Sequence, residues 1–157
     1  VEDCLVELLE VTTSDGAIVF SSELTSATVR NCRIRVDADG VNAIRLKSAA
    51  TDRNFDGPFR CENLTIEGQA SDGAVVEAAN RSGVSFSDLC IRQTGANRDG
   101  FELSNITGEV RDTFVSVTGT PFDVERSTVE RQNVTVEAPS DVDTDQDLRC
   151  VGDEDTT

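Results

Sequence analysis

Apolar and polar residues alternate in short runs that return along nearly the whole chain. The runs Cys32-Arg33-Ile34-Arg35-Val36, Leu64-Thr65-Ile66, Leu89-Cys90-Ile91, Val115-Ser116-Val117 and Val134-Thr135-Val136 each set apolar side chains two apart. That is the period of a strand buried on one face. Matching Ile34, Leu64, Leu89, Val115 and Val134 gives steps of 30, 25, 26 and 19 residues. A second short strand recurs at 17–20, 43–46, 74–76, 101–103 and 122–124. Three of these follow an Asp-Gly pair: Asp15-Gly16, Asp72-Gly73 and Asp99-Gly100. Glycine there supplies a positive φ that other residues resist. A third apolar position lies five residues before each first-strand position, at Val29, Phe59, Val84, Val110 and Val129.

Three short strands in constant order, once every twenty to thirty residues, predict a coil that closes its inner face only by stacking on its neighbours. The phrases Asn63-Leu64-Thr65-Ile66 and Asp72-Gly73-Ala74-Val75-Val76 resemble those of the right-handed parallel β-helix repeat family, and the resemblance runs from about Leu5 to Val136. It implies an all-β fold: a short right-handed parallel β-helix of about five coils, three strands per coil, with an irregular acidic C-terminal tail. Such a rod is roughly 25 Å long at the strand spacing. A β-sandwich of similar strand count is the competing fold, but a sandwich has no reason to keep one three-strand order at every step. The β-helix domain is expected over 1–137 and the tail over 138–157, where alternation gives way to Pro-Ser-Asp-Val-Asp-Thr-Asp-Gln-Asp. The segment 48–58 lengthens the second coil and reads as a protruding loop, a common seat of function.

The surface of this rod is strongly acidic. Thirty acidic residues against 14 basic ones leave a net charge of −16, and every basic residue but Lys47 is arginine. Nucleic acid and anionic membranes would repel such a chain, so no nucleic-acid partner and no membrane insertion are expected. Abundant Asp and Glu with one Lys resembles haloarchaeal proteins, or those of haloarchaeal viruses, in which molar salt screens self-repulsion over about 3 Å. The chain begins with Val, which points to a mature product or an excised portion. No stretch has the length of a transmembrane helix, and no signal peptide is expected within these residues. An extracellular, cell-surface or virion location in a halophilic system follows from these features taken together.

Candidate chemistry is sparse. With no His there is no Ser-His-Asp triad, no base to activate a cysteine, and little prospect of a zinc site. Alternation places Ile18, Phe20, Arg45, Lys47, Val75, Glu77, Glu102, Ser104, Asp123 and Glu125 outward on the second strand's sheet. Carbohydrate-active β-helices carry their sites on such a surface, so Glu77 and Glu102 beside Arg45 form the alternative catalytic reading. Closely spaced acids offer weak calcium candidates at Asp37 and Asp39, at Asp52 and Asp56, and in the tail at Asp141, Asp143 and Asp145. No other cofactor is expected. Four N-x-S/T triplets make Asn63, Asn80, Asn105 and Asn133 glycosylation candidates in an exported chain, although Asn is also a natural turn residue. Of the five cysteines, Cys4, Cys32, Cys90 and Cys150 are disulfide candidates, with Cys4 able to meet Cys32 on a neighbouring coil, while Cys61 falls on the inward register.

These features point first to a non-catalytic structural or adhesion module that self-associates and presents loops from a rigid support. Its partners would be copies of itself, neighbouring structural proteins, or a cell-surface glycan. The alternative is a carbohydrate-active enzyme of the polysaccharide lyase or hydrolase type, or a fragment of one. A cytoskeletal polymer resembling the bactofilins ranks below both, because its coils would be shorter and more regular.

Overall fold

A computed structural model describes residues 1–11, 14–48 and 56–139. It is all-β, with strands β1 (Leu5–Leu8), β2 (Ile18–Phe20), β3 (Ala27–Val36), β4 (Ile44–Leu46), β5 (Asp56–Gly68), β6 (Ala74–Gln93), β7 (Asp99–Ser116), β8 (Phe122–Glu125) and β9 (Thr128–Glu137). Every strand pairing among them is parallel. The strands stack into a β-solenoid of about five turns. β6 and β7 each run through three faces of one coil, bending at residues with positive φ. The first face is built by β2, β4, the start of β6, the start of β7, and β8. The second and third faces are built by β3, β5, the remainder of β6 and β7, and β9, with β1 added to the third.

The alternation pattern works as expected once coils are stacked. On the first face Ile18, Ile44, Val76, Phe101 and Phe122 form one inward column, and Phe20, Leu46, Ala78, Leu103 and Val124 the next. On the third face Val6, Ile34, Ile66, Ile91, Val115 and Val136 form another. The four central members of that column are 0% exposed, and each such side chain contributes roughly 1.5–3 kcal/mol by leaving water. Aromatic rings fill the wider parts of the interior: Phe101 lies edge-on to Phe86 at 5.3 Å and stacks on Phe122 at 4.8 Å.

Three expectations are corrected. Of the glycines in the three Asp-Gly pairs, Gly73 has a positive φ, whereas Gly16 and Gly100 do not. The aligned residue of Leu64 and Leu89 is Cys32 in the coil before, not Ile34, and it is Thr113 that pairs with Val134, not Val115. A shift of two residues keeps every side chain on its face, so periodicity cannot detect it. Ile18, Phe20 and Val75 are buried rather than outward. On β2 the outward residue is Val19, and Val75 lies two residues after the Asp72-Gly73 corner, where both residues have positive φ and alternation has not yet begun.

The corners explain why the sequence is rich in Asn and Asp at set positions. Between the second and third faces stand Asp3, Asn31, Asn63, Asp88, Asp112 and Asn133, all with φ between 46° and 55°. Asn and Asp tolerate this left-handed conformation better than other residues with side chains. The Nδ2 groups of Asn31 and Asn63 donate to Asp3 Oδ1 and Asn31 Oδ1, each at 3.0 Å, and Asn133 donates to Asp112 Oδ1 at 2.7 Å. A second ladder climbs the corner after the first face, where Asn80 donates to Ser48 Oγ at 2.7 Å and Asn105 to Asn80 Oδ1 at 2.8 Å.

Two buried arginines tie coils together from within. Arg98 is 0% exposed, and it donates to the carbonyls of Asp72 at 2.7 Å and Val41 at 2.6 Å. Burial pushes its guanidinium down to about 10, partly offset by Asp39 and Asp99, so it stays charged at neutral pH. Arg81 donates to the carbonyls of Lys47, Leu24 and Ser21 and lies over the Phe59 ring at 4.8 Å.

Candidate functional site

The outward column of the first face gathers most of the charge that sequence reading assigned to chemistry. Val19, Arg45, Glu77, Glu102 and Asp123 occupy the same register on β2, β4, β6, β7 and β8. Glu77, Glu102 and Arg45 are therefore brought onto one line at the strand spacing of about 4.8 Å. At the cationic end, Arg45 contacts Asp15 Oδ1 at 3.2 Å and Glu77 Oε1 at 3.3 Å. Lys47 pairs with the other oxygen of Asp15, and this hydrogen bond and charge hold the Asp15 carboxyl below its usual range.

The other end of the column is purely acidic. Among the described residues no cation pairs with Glu102 or Asp123. The Glu102 carboxyl is raised above the usual glutamate range, first by partial desolvation between strands and then by the charges of Glu77 and Asp123. Its side chain is nonetheless exposed, so water screens most of this effect. Chemically, the column offers one carboxylate neutralised by Arg45 beside another biased toward the protonated form. General acid–base catalysis at a glycosidic bond uses a pair of carboxyl groups in different environments.

The remaining candidates fall elsewhere. Asn63, Asn80, Asn105 and Asn133 all sit at left-handed corners, and each donates an Nδ2 hydrogen to the coil before it. Asp37 and Asp39 accept the backbone N–H groups of Gln69 and Ser71 at 3.0 and 2.8 Å, and so bind the next coil. Among the described residues, no group of three or more His, Cys, Asp and Glu is arranged to hold a metal ion. The calcium candidates Asp141, Asp143 and Asp145, the acids Asp52 and Asp56 as ligands, most of the 48–58 loop and Cys150 lie outside what the structure describes. Cys90 is disulfide-bonded, and it is buried although its register points outward. Cys61 is buried, and desolvation pushes its thiol up to about 12.

Sequence reasoning missed the buried arginines and the corner ladders. The ladders were signalled by Asn or Asp immediately before each third-face strand; Arg81 and Arg98, next to Asn80 and Asn97, carried no signal that separates a buried cation from a surface one.

No family model matches the chain, and no curated protein matches it. A solved structure, that of a candidate glycosyl hydrolase from Parabacteroides merdae, superposes over 75% of this chain and 81% of its own at 12% identity and a TM-score of 0.37.

Proposed function

We propose that the chain is a non-catalytic structural or adhesion module, a stiff solenoid that joins copies of itself end to end and displays loops along its length. The observation that supports this is the change in one column at the last coil. Ile34, Ile66, Ile91 and Val115 are fully buried, whereas Val136 in the same column is 48% exposed. Likewise Leu103 is buried and Val124 beneath it is 39% exposed. Among the described residues, β8 and β9 each pair with β7 alone, so no described strand covers the other edge of the last coil. Such an edge with apolar columns is a template for another parallel coil. The opposite end offers a like surface, β1 and β2, each paired on one side only among the described residues. A second copy stacked there would extend the inward columns of the first and third faces, which run through every coil.

Sedimentation over a range of concentrations in molar KCl tests this. The chain is expected to form concentration-dependent assemblies, and Val124→Lys with Val136→Lys to remain a single subunit with unchanged circular dichroism. A chain that stays a single subunit at every concentration sinks the proposal.

A second reading, a carbohydrate-active enzyme, is favoured by one observation, the proton-biased Glu102 between Glu77 and Asp123. It predicts release of reducing or unsaturated ends from a polysaccharide, with Glu102→Gln and Glu77→Gln both inactive. Cleavage that survives both changes removes the assignment.

A further inference from the structure

Cys4 and Cys32 face one another across the first two levels of the third face. Their sulfurs are 2.8 Å apart as free thiols. The surrounding contacts fix this approach from both sides. On one side the N-terminal amine donates to the Thr28 carbonyl at 2.9 Å, Arg30 N–H to the Val1 carbonyl at 3.0 Å, and Asn31 Nδ2 to Asp3 Oδ1 at 3.0 Å. On the other, Arg33 N–H donates to the Cys4 carbonyl at 2.9 Å, and Leu5 to Leu8 pair in register with Arg33 to Val36. Cys4 is thus directly paired with Cys32. Parallel strands hold such Cα atoms about 4.8 Å apart, inside the roughly 4.4–6.8 Å span that a disulfide bridges.

We propose that Cys4 and Cys32 form an oxidisable clasp, a thiol pair that closes to a disulfide and locks the first coil onto the second. The first coil needs such a clasp. β1 has four residues and pairs only with β3, and Leu5 and Leu9 are exposed. The two cysteines also differ in access. Cys4 is half-buried and Cys32 buried, so Cys4 meets the oxidant first.

With a small-molecule disulfide as oxidant, the Cys4 thiolate attacks one sulfur of the reagent. A mixed disulfide forms and one reagent thiol leaves. The Cys32 thiolate then attacks the Cys4 sulfur, forming the Cys4–Cys32 bond and expelling the second reagent thiol. Two protein thiols are oxidised, one disulfide is reduced to two thiols, and the two protons pass to the leaving thiolates. Cys61 is the internal control: it is buried and has no sulfur partner among the described residues.

The test treats the folded chain with oxidised glutathione, alkylates the remaining thiols, and maps the peptides by mass. A Cys4–Cys32 cross-linked peptide with Cys61 alkylated only after unfolding is expected. The oxidised form should melt about 5–10 °C above a form reduced at this pair, since the bond closes a loop spanning most of the first coil. Cys4→Ser should fold, lose that gain, and leave Cys32 unmodified by the reagent. Stable glutathione on Cys4 without closure, or both thiols still free, overturns the proposal. Because no step involves another subunit, these outcomes are independent of whether the chain assembles.

Discussion

Asn63 stands directly over Asn31 in successive coils, and its Nδ2 donates to Asn31 Oδ1 at 3.0 Å while both backbones hold a left-handed φ, 52° and 55°. One side-chain type thus meets two demands, a strained backbone and a bond to the next coil. Asn63→Ala forfeits the bond, about 1 kcal/mol, and adds left-handed strain, about 1–2 kcal/mol. Asn63→Gly forfeits only the bond. Urea unfolding should therefore rank wild type above Gly and Gly above Ala. Equal losses for the two variants would show that conformation is not what selects Asn there.

Arg98 should be the most sensitive polar position. Arg98→Met leaves the Val41 and Asp72 carbonyls without their buried donor. Each buried carbonyl left without a donor costs about 1–3 kcal/mol. A loss below about 1 kcal/mol in chemical denaturation would mean that water enters and replaces the guanidinium.

Glu102 makes stability depend on pH in a stated direction. Its folded carboxyl is raised above the usual range, so the folded chain holds that proton more tightly than the unfolded one. The stabilisation is present below the ordinary glutamate value, about 4.3, and is lost as pH rises through the raised value. Glu102→Gln should then raise the melting temperature at pH 7 by about 1–3 °C after allowance for solvent screening. The gain should vanish in acid and shrink in molar salt. A gain that is the same at both pH values would assign it to something other than ionisation.

Gly108 stands at a close approach between coils on the second face. A Cβ there would run into the carbonyl oxygen of Val84, its pairing partner on β6. Since the obstruction is backbone, Gly108→Ala should force the strands apart and destabilise the fold by about 1–3 kcal/mol. It should also increase amide exchange at 107–109 more than at 74–78. A neutral result would mean that β7 can shift locally without cost.

The amino-acid order by itself determined the class of fold. Period-two alternation in Leu64-Thr65-Ile66 and its relatives, kept in one three-strand order that a sandwich has no reason to hold, requires an inner face that a neighbouring coil covers. It also placed Glu77, Glu102 and Arg45 on one surface and set Cys4 against Cys32 as candidates. The tertiary structure decided the register, because a slip of two residues, as between Ile34 and Cys32, leaves every side chain on its own face and changes only what it touches. It likewise decided which charges are interior. Arg98 and Arg33 read alike in sequence, yet one lies 0% exposed against the carbonyls of two other coils and the other pairs with Glu67 in solvent. That difference depends on which backbone carbonyls the stacking leaves without a donor, a property of coils 26 and 57 residues away from Arg98 and of no local pattern.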